Sequence, residues 1–263
     1  MSALYEPAGD GRWRPDEATR GPWTPAHQHG GAPAALLGGL IERAEPGSPL
    51  RVARVTVELV RPVPLDELRS EVEVVRPGRR VQLVAARLYA GADLVARALA
   101  LRLRRGDAGA APPSEPAAAA PAAPEASRPA RAEHMGADQA WFGQDGVDLR
   151  YAHGDWRTGP AFAWVALRMP VVAGEEPSAL QRALAAADFG NGVSAALDWS
   201  AWAFINPDLT VYLEREPVGP WVGLDAQTRV GPDGIAVAES VLHDERGRIG
   251  RAVQALLVEP RRD

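Results

Sequence analysis

The chain has 263 residues, 46% of them hydrophobic, with a formal net charge of −5, which suits two packed domains and argues against a nucleic-acid binder needing a basic field. It has no cysteine, which excludes disulfides, thiolate metal sites and a cysteine nucleophile. Every Lys/Arg position is arginine, which excludes Schiff-base chemistry on lysine.

The opening residues Met1–Pro7 lack the basic region and apolar run of a secretory signal. No apolar stretch reaches the roughly 18 residues of a membrane span. The expectation is a soluble cytoplasmic protein. Weak strand signals lie at Leu4–Tyr5 and Gly11–Arg14. After a loop rich in Gly and Pro, Ala34, Leu37, Leu40 and Ile41 fall at helical spacing and predict a helix from about Gly31 to Arg43. Glu45-Pro46-Gly47 ends it. Four strand-like runs follow at about 52–60, 67–76, 80–90 and 94–104, with turns at Pro77-Gly78 and Gly91-Ala92-Asp93.

From Gly106 to about Ala137 the chain is rich in Ala and Pro, has no apolar periodicity and reads as an extended linker. The second half then repeats the first. Strand signals near 147–152 and 161–168 precede a helix from about Ser178 to Ala187. An irregular Gly-containing stretch leads to strands at about 207–215, 221–230, 235–243 and 248–258. The turns between the last three are Gly231–Gly234 and Asp244–Gly247. The predicted organisation is a first unit over 1–105, a linker over 106–137 and a second unit over 138–263.

The repeat is visible in the residues themselves. Val55-Thr56-Val57-Glu58-Leu59 parallels Leu209-Thr210-Val211-Tyr212-Leu213, and Val95–Leu101 parallels Ile249–Ala255. In this alignment Arg54, Val74 and Ala100 meet Asp208, Thr228 and Gln254. A doubled scaffold that is polar in one copy points to a single site in the second unit. Asp208 starts an apolar strand and is either a turn cap or a base. Gln254 interrupts a run of apolar neighbours, so it is either bonded to backbone or functional, since a buried amide without partners costs about 1–3 kcal/mol. The turn lengths set both Thr228 and Gln254 opposite Val237, level on one face. A carboxylate, a hydroxyl and an amide so gathered can hold and polarise a water.

Other positions carry weaker signals. Gly30-Gly31 before the first helix offers unobstructed backbone N–H groups for an oxyanion, or is simply a close-packed turn. His27 and His29 lack a third ligand for a metal. Asp188, after the second helix, is a reserve acid or base, or part of a helix-ending turn with Gly190 and Gly192. Trp199, Trp202 and Phe204 suit an acyl pocket or ordinary core. Arg79-Arg80 and Arg104-Arg105 suit phosphates or solvent.

The run Asp208, Arg215, Pro217, Trp221, followed by Thr228 and the pair Val253-Gln254, resembles the acyl-CoA thioesterase II family, most clearly over 178–260. That resemblance implies an α+β double hotdog, two strand-helix-antiparallel-sheet units packed as an internal pseudo-dimer. It implies hydrolysis of an acyl-CoA thioester by water positioned by Asp208, Thr228 and Gln254. Gly31 and Gly30 serve the oxyanion, because in hotdog pairs the helix of one unit faces the site of the other. Asp188 stands in reserve, since an acid near this helix serves other hotdog enzymes. No cofactor and no metal are implied. The partner is an acyl-CoA substrate, with no nucleic acid or membrane, and an even-numbered homo-oligomer is expected from exposed sheet edges. Alternatives are an enoyl-CoA hydratase or dehydratase, disfavoured because no histidine lies on a second-half strand beside Asp208 or Gln254, and a non-catalytic acyl-CoA-binding module.

Overall fold

The computed structural model describes residues 2–106, 121–130, 139–155 and 159–261. In chain order the first half forms strands β1 (Tyr5–Pro7) and β2 (Arg12–Pro15), helix α1 (Gly31–Arg43), and strands β3 (Leu50–Leu59), β4 (Leu68–Arg76), β5 (Val81–Ala90) and β6 (Asp93–Arg104). The second half forms β7 (Arg128–Pro129), β8 (Val147–His153), β9 (Ala161–Leu167), α2 (Ala179–Ala187) and α3 (Gly190–Val193). It ends in β10 (Trp202–Ile205), β11 (Asp208–Leu213), β12 (Trp221–Val230), β13 (Ile235–Asp244) and β14 (Gly247–Pro260).

All fourteen strands belong to one sheet, ordered β1-β2-β4-β5-β6-β3-β11-β14-β13-β12-β9-β8-β7, with β10 paired to the far end of β14. The two halves meet at the antiparallel pair β3–β11. There Thr56 lies opposite Thr210, its equivalent in the sequence repeat 154 residues away, and their hydroxyls are 3.2 Å apart. A residue facing its own repeat partner across an antiparallel ladder marks a pseudo-twofold axis. The sheet wraps both helices, giving the two-layer double hotdog expected from the sequence.

Helix α1 is buried from Gly31 to Ile41. Its Leu36, Leu37 and Ile41 are each 0% exposed, and burying each such side chain contributes about 1.5–3 kcal/mol. Close approach of the helices depends on Gly38, where a β-carbon would come within 2.6 Å of Leu184 Cδ1 on α2. Helix α2 opens with a full capping box: Ser178 accepts from the Gln181 amide, and the Gln181 side chain accepts from the Ser178 amide.

The two last turns of the second unit depart from the expected register. Gly234, at φ +72°, adds a residue to the first turn, and a bulge between Leu242 and His243 shifts the second. Thr228 therefore pairs with Ala238 rather than Val237, and Ala238 pairs with Gln254. The two shifts cancel. Thr228 and Gln254 still lie level, two strands apart, both on the inward face and both buried.

Most of the expected linker lies outside the described residues. Its described stretch, 121–130, packs on the outer face of the second unit. β7 pairs with β8 there, and Trp164 Nε1 donates to Ala122 O at 2.9 Å. Among the described residues, no helix is long and apolar enough to cross a membrane.

Candidate active site

The connection from helix to central strand differs sharply between the copies. In the first it is Ala44–Pro49; in the second it runs 188–207 and contains α3 and β10. This insertion builds the site. Helix α2 stops at Asp188, whose side chain is 4% exposed. One carboxylate oxygen, Oδ1, accepts from Asn206 Nδ2 at 2.6 Å and from Gln254 Nε2 at 3.1 Å. The other, Oδ2, lies 3.0 Å from His29 Nδ1. Three nitrogen groups from three separate segments thus converge on a single buried carboxylate and supply the hydrogen-bond partners that a buried polar group needs.

Asn206 reaches Asp188 because the chain jumps from β10 to β11 at Asn206-Pro207. This break also defines Asp208. As β14 passes from β11 to β10, the amide of Ala255 falls in the gap, and Asp208 Oδ1 accepts from it at 2.7 Å. The expected trio of Asp208, Thr228 and Gln254 is therefore not assembled. Asp208 faces outward, opposite Glu58 on β3, while Gln254 faces inward to the reserve candidate, Asp188. Strand alternation separates residues 208 and 254 by face once the pairing Thr210–Val253 is known.

Thr228 is near Gln254 in the sheet but is otherwise engaged. Its hydroxyl is 2.9 Å from Ser194 Oγ and 3.3 Å from Asn191 Oδ1. Ser194 gives its own proton to Gly190 O at 2.8 Å, so it accepts from Thr228. Thr228 thus pins α3 to the sheet. Gly190 sits directly over the amide of Gln254: a β-carbon there would come within 2.9 Å of Gln254 Oε1 and 3.0 Å of Ser240 Oγ. Gln254 Oε1 is buried and meets no donor among the described residues.

From the first half, the start of α1 comes up to Asp188. A β-carbon on Gly30 would lie 2.9 Å from Asp188 Oδ2, so glycine is what allows the approach. In the first turn of α1, Ala32 N–H is bonded to His29 O, Pro33 has no N–H, and Ala34 N–H is bonded to Gly30 O. Gly31 N–H has only His29 Nδ1 as acceptor among the described residues, at 3.1 Å. The N-cap residue, Gly30, supplies no side-chain cap. The His29 ring is held between aromatic faces, stacked on Phe189 at 4.5 Å and tilted on Phe142 at 5.1 Å.

Of these groups, His29, Gly30, Asp188, Asn191 and Asn206 line a cavity of about 520 Å³ between the halves, and Gln254 lies behind them. Its walls are largely apolar: Leu59, Val60 and Val63 from the first half, Phe189, Phe204 and Ile205 from the second. Trp23 and Trp199 stack across it at 4.8 Å, 13° from parallel. Trp199 and Phe204 are thus wall residues, whereas Trp202 packs in a side cluster with Phe204. Arg61 lines the cavity; Arg79, Arg80, Arg104 and Arg105 do not. His27 and His29 diverge, His27 Nδ1 lying 2.8 Å from Thr24 Oγ1. Among the described residues, no group of three His, Asp or Glu side chains is arranged for a metal.

Sequence reading missed His29 and Asn206. A histidine does meet an acid here, but from the other half of the chain: no histidine stands on the second half's strands beside Gln254, whereas His29 reaches Asp188 from before α1. The signal was present in His29-Gly30-Gly31, where small residues let a helix start approach a neighbour.

Comparisons with known proteins identify the family and the fold. Residues 19–103 match the model of the acyl-CoA thioesterase N-terminal domain, and residues 116–258 that of the acyl-CoA thioesterase C-terminal domain. No curated protein matches the chain. Among solved structures, a protein provisionally named thioesterase II from Thermobifida fusca YX is similar with TM-score 0.75 at 18% identity, over 98% of this chain and 95% of that one. A conserved protein of unknown function with a hot dog fold, from Alicyclobacillus acidocaldarius, gives 0.72 at 14%, over 98% and 96%. An acyl-CoA thioesterase II from Mycobacterium marinum gives 0.66 at 13%, over 98% and 95%. At these identities the likeness is one of fold.

Proposed function

The chain belongs to the acyl-CoA thioesterase family and is a thioester hydrolase, and we propose that it cleaves its acyl-CoA substrate with Asp188, rather than Asp208, as the base. The observation that carries this is the buried carboxylate with three nitrogen groups around it, set directly against the uncapped start of α1 at the edge of a largely apolar cavity.

The acyl group occupies the cavity between the aromatic walls, with its thioester carbonyl at the floor. Asp188 takes a proton from a water as the water oxygen bonds to the carbonyl carbon. Negative charge then moves onto the carbonyl oxygen. Gly31 N–H, at the positive end of the α1 dipole, receives it. Collapse of the intermediate breaks the C–S bond, and the thiolate recovers the proton from Asp188. A thiol ionises near pH 8.5, so this return is undemanding. Gln254 serves twice: Nε2 fixes the carboxylate, and Oε1 is a buried acceptor suited to orienting the water. Asn206 fixes the carboxylate from the other side. Thr228 acts at one remove, by holding α3 and hence Gly190 over Gln254. Asp208 holds the strand break that turns Asn206 inward.

The test is thiol release over a panel of acyl-CoA esters. Asp188→Asn should lower kcat by about 10²- to 10⁴-fold, the usual worth of a general base, with an unchanged circular dichroism spectrum. Wild-type turnover in that variant would overturn the assignment. The His29–Asp188 contact favours a second reading, reversible hydration of an enoyl-CoA at the same site. Loss of enoyl absorbance without thiol release would favour it, and thiol release alone would remove it.

A further inference from the structure

The contacts of His29 set two neighbours in competition for one ring nitrogen. Nδ1 lies 3.0 Å from Asp188 Oδ2 and 3.1 Å from Gly31 N. To bond Asp188 it must carry a hydrogen; to accept from Gly31 it must not. A bare lone pair facing an ionised carboxylate at 3.0 Å repels, whereas N–H donation to that oxygen is charge-assisted. Asn206 and Gln254 both donate to Oδ1 of the same carboxylate, which leaves Oδ2 as the acceptor facing His29. The carboxylate therefore wins the proton, and the Gly31 amide loses its acceptor.

We infer that His29 is a positioning residue for thioester hydrolysis: with its Nδ1 proton committed to Asp188, it fixes the carboxylate and leaves Gly31 N–H open for the thioester carbonyl oxygen. This deepens the reading above and rests on it, since it takes Asp188 as the base and Gly31 as the oxyanion donor. One side chain thereby sets both groups that must act together, one contributed by each half of the chain. The ring itself is braced by Phe142 and Phe189, so its nitrogen cannot swing away. The other titratable or charged groups lining the cavity are engaged elsewhere: His27 with Thr24, and Arg61 toward Asp93 at 3.9 Å.

The inference makes a spectroscopic demand independent of turnover. In Asp188→Asn, the new amide must turn its oxygen toward Asn206 Nδ2 and Gln254 Nε2, both donors. Its NH₂ then faces His29 Nδ1, which has to become an acceptor. Nitrogen-15 NMR of the imidazoles, at a pH near 8 and so above the ordinary histidine range, should report Nδ1 protonated in the wild-type protein and bare in Asp188→Asn. Kinetics supply the second arm. His29→Phe keeps the aromatic stack but has no donor, and should lower kcat by about 100-fold with little change in KM, the scale of a mispositioned reacting group. His29→Asn restores a donor near the Nδ1 position and should recover most of that loss. A bare Nδ1 in the wild-type protein, or full kcat in His29→Phe, would overturn the role of His29 whatever Asp188→Asn does. Full kcat in Asp188→Asn would instead overturn the base assignment.

Discussion

Asp208 offers the sharpest separation of sequence pattern from structure. Its carboxylate bonds the Ala255 amide at 2.7 Å in the gap where β14 changes neighbours. In Asp208→Ala that amide loses a charge-assisted acceptor, an interaction worth about 1.5–3 kcal/mol when fully buried. Ala255 is exposed and Asp208 half-buried, so water can replace part of the bond. The expected cost is nearer 1–2 kcal/mol. For a protein of this size that lowers Tm by about 2–6 °C. Turnover should stay within about threefold of wild type, because no group at Asp188 is removed. The assays are urea denaturation for stability and thiol release for kcat. A hundredfold loss of kcat with unchanged stability would refute the reasoning and return Asp208 to the chemistry.

Gly190→Ala forces a β-carbon to within 2.9 Å of Gln254 Oε1. It should cost about 1–3 kcal/mol by overpacking and reduce kcat by displacing the amide from Asp188, whereas Gly192→Ala, with nothing within 4 Å, is the stability control. His243 tests the outer face of the second unit. Burial holds this histidine below its ordinary pKa, with Asp225 opposing that shift, and its ring meets Phe162 edge-on at 5.4 Å. The unfolded chain therefore binds the proton first, and stability present at neutral pH is lost as pH falls below about 6.5 toward the folded value. Denaturation at about pH 8 and pH 5.5 should show a smaller acid loss for His243→Gln than for wild type; equal losses would contradict this.

Much of the fold was legible because its signals are local. The helix at Gly31–Arg43 has the predicted bounds, and the eight meander strands fall within two residues of theirs. Apolar alternation and Gly or Pro turns are written in contiguous residues. The site was only partly legible. Gln254 stood out because an amide inside an apolar strand needs a partner, and Asp188 was noticed as an acid at a helix end. The separation of Asp208 from Gln254 has a structural cause. Comparing the two copies position by position can find polar replacements only where the copies align, whereas Asp188, Asn191, Ser194 and Asn206 lie in an insertion with no counterpart. Which face Asp208 takes depends on how β10 and β11 share β14, and that is tertiary information.

The same asymmetry distinguishes the two ends of the pseudo-twofold scaffold. At the mirror position, Thr228 and Gln254 are replaced by Val74 and Ala100, and the connection Ala44–Pro49 is too short to carry an equivalent of Asp188. The two helix starts are finished accordingly. The start of α2 is closed by its Ser178–Gln181 box, and the Ser178 hydroxyl is bonded to the Glu42 carboxylate. The start of α1 has glycine at its cap with no cap side chain, and its Gly31 amide has only His29 Nδ1 near it among the described residues, a nitrogen that also lies 3.0 Å from Asp188 Oδ2. A serine cap typically stabilises a helix by about 1 kcal/mol over an uncapped start. Forgoing it at α1 leaves the Gly31 amide and the dipole's positive end beside the buried Asp188 carboxylate, so under the proposed mechanism the stability given up at one terminus keeps a place for an oxyanion.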